Sequence, residues 1–129
     1  MASILVTDND EMMCELLKTR LSHQGYDVFV AQDGQKGLDI YEEVNPDIII
    51  TDLMLPSLNG YQLIRRVKSR AREMGNNESK IIVLTGRRTE KDIERCFELG
   101  AADYVRKPFS PIELEARIKK HLRIEFLTN

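Results

Sequence analysis

Apolar residues recur along this chain in two alternating rhythms. Short runs of β-branched and aliphatic residues give way to longer segments in which apolar positions return every three or four residues. Ser3 to Thr7 is a short apolar strand, halted by Asp8-Asn9-Asp10. Met13, Leu17 and Leu21, four apart, make the stripe of a first helix, with Asp10 or Asn9 as its cap, Glu11 in its first turn and Gly25 as its stop. Val28 to Ala31 is a second strand, followed by an Asp33-Gly34 turn. Leu38, Ile40, Tyr41 and Val44 then carry a second helix that ends at Asn45-Pro46. The run Ile48-Ile49-Ile50-Thr51 reads as a third strand buried on both faces; it stops at Asp52, and Pro56 ends regular structure soon after.

The second half repeats the rhythm. Asn59-Gly60 signals a turn, and Leu63, Ile64 and Val67 carry a third helix whose other side is basic: Arg65, Arg66, Lys68, Arg70 and Arg72. A loop from Gly75 to Ser79 leads to a fourth strand, Ile81 to Leu84, ending at Thr85-Gly86. Ile93, Phe97 and Leu99 mark a fourth helix closed by Gly100. Tyr104-Val105 is a short fifth strand that ends in Lys107-Pro108. Ser110 caps a last helix with Pro111 in its first turn and Leu114, Ile118 and Leu122 as its stripe. No regular structure is expected for Arg123 to Asn129. Five β-α units joined by short connections imply right-handed crossovers. The expected fold is therefore α/β: a flavodoxin-like, doubly wound, five-stranded parallel sheet, (βα)5, in three layers.

Composition narrows the function. The 129 residues suit one domain, and a net charge of −2 gives no bulk attraction to nucleic acid or anionic membrane. Glu73 and the acidic remainder offset the basic helix face, so a solvated surface explains it better than a nucleic-acid patch. No apolar run is long enough to span a bilayer, and the N-terminus lacks the pattern of a signal peptide, so the expected location is cytoplasmic. Cys14 and Cys96 form no spaced pair and read as reduced thiols.

In a parallel sheet every strand's carboxyl end faces one edge, where open α/β sheets bind ligands. Asp8 and Asn9 follow the first strand, Asp52 the third, Thr85 ends the fourth, and Lys107 follows the fifth. Two carboxylates and an amide oxygen make a hard, oxygen-only site suited to Mg²⁺ and poor for zinc. His23 and His121 lie in helices and read as surface residues. Thr85 adds a hydroxyl donor and Lys107 a mobile cation for an anion. This set suits phosphoryl transfer, with Asp52 as the covalent acceptor it offers.

From about Ile4 to Leu122 the chain resembles the receiver domains of two-component response regulators. The motifs that carry the resemblance are Ile4-Leu5-Val6-Thr7-Asp8-Asn9, Thr51-Asp52-Leu53-Met54-Leu55-Pro56, Leu84-Thr85-Gly86, and the run from Gly100 through Asp103-Tyr104-Val105-Arg106-Lys107-Pro108 to Phe109. The resemblance implies a receiver domain over residues 1–124, with 125–129 a C-terminal tail or the start of a linker. It makes Asp52 the acceptor of a phosphoryl group from a histidine kinase or phosphotransfer protein. Asp8, Asn9, Asp52 and the backbone carbonyl of Met54 become the Mg²⁺ positions. Thr85 and Lys107 bind the phosphoryl oxygens, Thr85 and Tyr104 form the switch, and the Lys107-Pro108 bond is cis. The signal would leave through the face of helix four, strand five and helix five towards an output domain or partner protein. Asp103, Glu113 and Arg117 match charges that join two receivers into a homodimer through that face, although Ile93 stands where a basic residue is usual. The domain itself would bind neither nucleic acid nor membrane. It would be no independent enzyme, catalysing only its own phosphotransfer and dephosphorylation.

Asn9 departs from the pattern, which usually has a second Asp there. One less negative charge should weaken Mg²⁺ binding, and Asp10 is better placed as a helix cap than as a substitute. The alternative reading is thus a non-phosphorylated pseudo-receiver that acts as a protein-interaction module. A flavin-binding flavodoxin would want a Ser/Thr/Gly-rich loop after the first strand. A phosphatase of the haloacid dehalogenase type would want an Asp where Met54 stands.

Overall fold

The computed structural model describes residues 1–75, 79–87 and 89–128, with side chains as far as Leu122. The elements alternate as expected: β1 (Ser3–Thr7), α1 (Glu11–His23), β2 (Asp27–Ala31), α2 (Gly34–Val44), β3 (Ile48–Thr51), α3 (Gly60–Met74), β4 (Lys80–Thr85), α4 (Glu90–Leu99), β5 (Asp103–Arg106) and α5 (Pro111–Thr128). All described strand pairs are parallel, in the order β2-β1-β3-β4-β5. The chain order reverses beside β1, which opens a crevice between β1 and β3 at their carboxyl ends.

Alternation along the central strands splits the core in two. Leu5, Ile49, Ile81 and Val83 point to one face, where they pack with Leu38 and Tyr41 of α2, Leu63, Ile64 and Val67 of α3 and Cys96 of α4. Ile4, Val6, Ile48, Ile50, Ile82 and Leu84 point to the other, against Leu17 and Leu21 of α1 and Leu114 and Ile118 of α5. Ile49 and Ile50 are each 1% exposed, so the β3 run is dry on both sides and its first exit to solvent is Asp52.

Four local expectations are revised. Asp33-Gly34 and Asn59-Gly60 are helix starts rather than free turns. The Asp33 side chain accepts from Lys36 N at 2.7 Å, and Asn59 forms a capping box with Gln62. The glycines are needed there because a Cβ on Gly34 would sit 1.9 Å from the Leu58 carbonyl oxygen, and one on Gly60 2.4 Å from the Asp52 carbonyl oxygen. In α4 the buried positions are Asp92 and Cys96, while Phe97 is 46% exposed; a paired carboxylate takes the place an apolar residue was expected to fill. His121 is buried rather than at the surface, its Nε2 3.0 Å from Asp103 Oδ2, because it continues the Leu114–Ile118 stripe towards β5. The backbone of the C-terminal segment is helical as far as Thr128. Within the expected Gly75–Ser79 loop, residues 76–78 lie outside the described residues, while Gly75 caps α3 with φ +66°.

Candidate functional site

The crevice is assembled by backbone bonds that lock neighbouring strand ends together. Asp8 N donates to Ala31 O at 3.1 Å, Asp52 N to Thr7 O at 2.9 Å and Lys107 N to Thr85 O at 2.9 Å. Each hydrogen bond fixes the start of the loop that carries a polar side chain. The loop after β3 is held again where Gly34 N donates to Pro56 O and Gly60 N to Leu53 O, the approach that the two glycines permit. Asp10, not Asn9, caps α1, accepting from Met12 N at 2.9 Å. Asp10 N in turn donates to Asp8 Oδ1 at 2.9 Å, which orients the Asp8 carboxylate.

Four of the expected residues meet in one network. Lys107 Nζ lies 2.7 Å from Asp8 Oδ2 and 2.8 Å from Asp52 Oδ2, bridging the two carboxylates. Thr85 Oγ1 donates to Asp52 Oδ1 at 2.7 Å, and Leu53 N and Met54 N donate to the same oxygen at 2.6 and 3.2 Å. Burial alone would raise the Asp52 pKa. The hydrogen bonds from Lys107 and Thr85, that from Met54 N and the lysine's charge outweigh it and hold the carboxyl below its usual range. Lys107 shows the mirror effect: burial favours the neutral amine, but the bonds and charges of Asp52 and Asp8 push its pKa up. At neutral pH Asp52 is therefore a carboxylate and Lys107 an ammonium.

The other expected residues surround this network. Asn9 is exposed and lines a crevice with Leu53, Met54, Leu55, Pro56, Asn59, Tyr61 and Arg87. Met54 is 60% exposed, with its sulfur 3.5 Å from Arg87 Nη1. Tyr104 is half-buried against the α2–α4 side of the core, and its hydroxyl donates to the carbonyl of Arg87. The Lys107-Pro108 peptide bond is cis. Asp103, Glu113 and Arg117 are joined within the one chain: Arg117 reaches Asp103 at 2.8 Å and Glu113 at 3.1 Å.

The donor set suits a hard divalent cation. Oxygens from Asp8 and Asp52 face each other across one ammonium, and Asn9 and the Met54 backbone lie alongside. Cys14 Sγ, which donates to the Asp8 carbonyl at 3.3 Å, is a poor soft ligand, since burial and the Asp8 charge push its pKa up and keep the thiol protonated. Among the described residues, no three carboxylate, imidazole or thiol side chains form a metal-binding cluster; the site supplies two. Sequence reasoning missed Tyr61 and Asp92. Tyr61 stands on α3 and Asp92 on α4, and their 2.6 Å hydrogen bond depends on how the two helices pack.

Comparisons with known proteins agree with this fold. The family profile described as response regulator receiver domain matches residues 4–119. A probable transcriptional regulator, ycf27 of Porphyridium aerugineum, is 42% identical over 120 residues, 93% of this chain and 48% of that protein. The chain thus spans about half the length of that curated relative. A response regulator receiver domain protein from Clostridium thermocellum superposes with a TM-score of 0.88 at 27% identity, covering 100% of both chains. The BeF3-activated N-terminal receiver domain of Klebsiella pneumoniae RstA gives 0.83 at 28% identity, covering 94% of this chain and 98% of that one. Among the described residues, no helix is long and apolar enough to cross a membrane. With a matching profile over nearly its whole length and the family's motif residues gathered at one sheet edge, the chain belongs to the receiver domains of two-component response regulators.

Proposed function

We propose that Asp52 accepts a phosphoryl group from the phosphohistidine of a histidine kinase or phosphotransfer protein, and that the domain works as a switch rather than as a turnover enzyme. The observation that carries this reading is the ionised Asp52 carboxylate, clasped by Lys107 and Thr85 at the mouth of the crevice. A carboxylate oxygen of Asp52 attacks phosphorus. The P–O bond forms as the P–N bond breaks, and its electron pair stays on the departing imidazole, which takes up a proton. Such transfer is dominated by positioning and charge neutralisation. Lys107 supplies a cation to the phosphoryl oxygens, and Thr85 supplies a hydroxyl donor. Asp8, Asp52, the Met54 carbonyl and Asn9 would hold Mg²⁺, which supplies further neutralisation of phosphoryl charge when bound.

Once the acceptor carries roughly −1.5 to −2 charge units, Thr85 is drawn to the new oxygens. Tyr104, tied to the carbonyl of Arg87 two residues after Thr85, follows that movement. The α4–β5–α5 face would change with it, towards an output domain, a partner protein or a second copy of this chain.

Incubation with acetyl phosphate and Mg²⁺, read by intact mass, tests the proposal. A single phosphoryl adduct is expected on the wild type and none on Asp52→Asn. Asn9 favours a second reading, an interaction module without the chemistry, and absence of an adduct on the wild type would select it. Restoring the charge with Asn9→Asp should tighten Mg²⁺ binding by about tenfold, measured by calorimetry.

A further inference from the structure

Asp92 is 8% exposed, yet it collects three side-chain donors, one from α3 and two from the connection between β4 and α4. Tyr61 Oη of α3 donates to its Oδ1 at 2.6 Å, and Thr89 Oγ1 and Arg87 Nε donate to its Oδ2 at 2.5 and 3.1 Å. Capping of α4 accounts for Thr89, whose Oγ1 accepts from Asp92 N. It does not account for the arginine. Arg87 follows Thr85 by two residues, and its backbone N donates at 3.4 Å to the hydroxyl that holds Asp52. While Nε is held by Asp92, Nη1 reaches Met54 along the wall of the crevice that Asn9 and Leu53 also line. One edge of the guanidinium is therefore held by Asp92, and the other lies against Met54, two residues after Asp52, in the crevice.

We propose that Asp92 is a latch: it withholds Arg87 from the crevice until Asp52 carries a phosphoryl-like anion, whose oxygens Arg87 then binds. The inference rests on Asp52 being the acceptor. A planar guanidinium matches tetrahedral oxyanions in pairs of hydrogen bonds, so the new partner competes well with a carboxylate. Asp92 is not orphaned by the exchange, because Tyr61, Thr89 and the positive end of α4 continue to hold it. The same three donors, with the Thr89 bond the largest influence, bring its carboxyl down to about 2, so it is a full charge at neutral pH. The strength of the response is set by the difference between the two partners, not by either alone.

The test is a double-mutant cycle on the affinity for trifluoroberyllate in the presence of Mg²⁺, measured by titration calorimetry. Asp92→Asn, which keeps the size of the side chain and one carbonyl acceptor but removes the charge, should tighten binding by about fivefold. Arg87→Ala, a change at an exposed residue, should weaken it by about tenfold. In the Arg87→Ala background, Asp92→Asn should have no further effect. An Asp92→Asn effect of equal size with and without Arg87, or an unchanged affinity in Arg87→Ala alone, would overturn the latch while leaving the acceptor intact. A wild type that takes up no trifluoroberyllate would remove the acceptor reading and the latch together.

Discussion

Two buried carboxylates, Asp52 and Asp103, look alike by simple measures. Each side chain is 12% exposed, each accepts a backbone N–H and each is paired with a cation. In both, burial acts to raise the carboxyl pKa and hydrogen-bonded cations reverse it. Their surroundings differ. Asp103 opens β5, and its oxygens are taken by Tyr104 N and Arg117 on one side and by buried His121 on the other. Asp52 leaves the carboxyl end of β3. Among the described residues its Oδ2 meets Lys107, a point charge that Asp8 also claims. A carboxylate tied to two partners on α5 makes a structural joint; one that shares a single ammonium with a second carboxylate beside an open crevice makes a reactive one.

Substitutions should separate the two most sharply. Asp52→Asn is expected to abolish phosphoryl incorporation yet change unfolding free energy by only about 1 kcal/mol, because the Lys107–Asp8 pair survives. Asp103→Asn should do the reverse. It leaves Arg117 and buried His121 without their charged partner and costs on the order of 3 kcal/mol in denaturant unfolding, while adduct formation stays within about twofold.

Next in size is Lys107→Met. Without the ammonium, Asp8 and Asp52 face each other unscreened, so the Asp52 carboxyl should titrate at higher pH than in the wild type, read by carbon NMR. The smallest effect is the acid limb of stability. Both carboxyls have folded pKa values below the unfolded one, near 3.9 for Asp. Their contribution is complete above that value and is lost as pH falls through the depressed folded values, where the unfolded chain binds more protons. Asp103→Asn should flatten this limb, as seen in thermal midpoints measured across acid pH.

The sheet and the reactive region were legible for the same reason. A run such as Ile48-Ile49-Ile50 has no place except inside a parallel sheet, and topology then brings Asp8, Asp52, Thr85 and Lys107 to one edge whatever their separation along the chain. The Asp103 cluster was only half visible. Charges at Asp103, Glu113 and Arg117 could be seen, but not that His121 would turn inward to share them. Asp92 was hidden for a related reason. A carboxylate in the first turn of a helix reads as a solvated, dipole-friendly residue, and only the packing of α3 against α4 brings Tyr61 over it. Phe97 shows the consequence: it was expected on the buried stripe of α4, yet it is exposed and Asp92 lies inside.

Borohydride reduction of the acetyl-phosphate-treated chain, followed by peptide mass mapping, examines the acceptor most directly, because an acyl phosphate is reduced to an alcohol at the residue that carried it. Homoserine at position 52 and nowhere else is the expected result. Homoserine at Asp8 or Asp103, or a phosphorylated chain with Asp52 unreduced, would contradict the assignment.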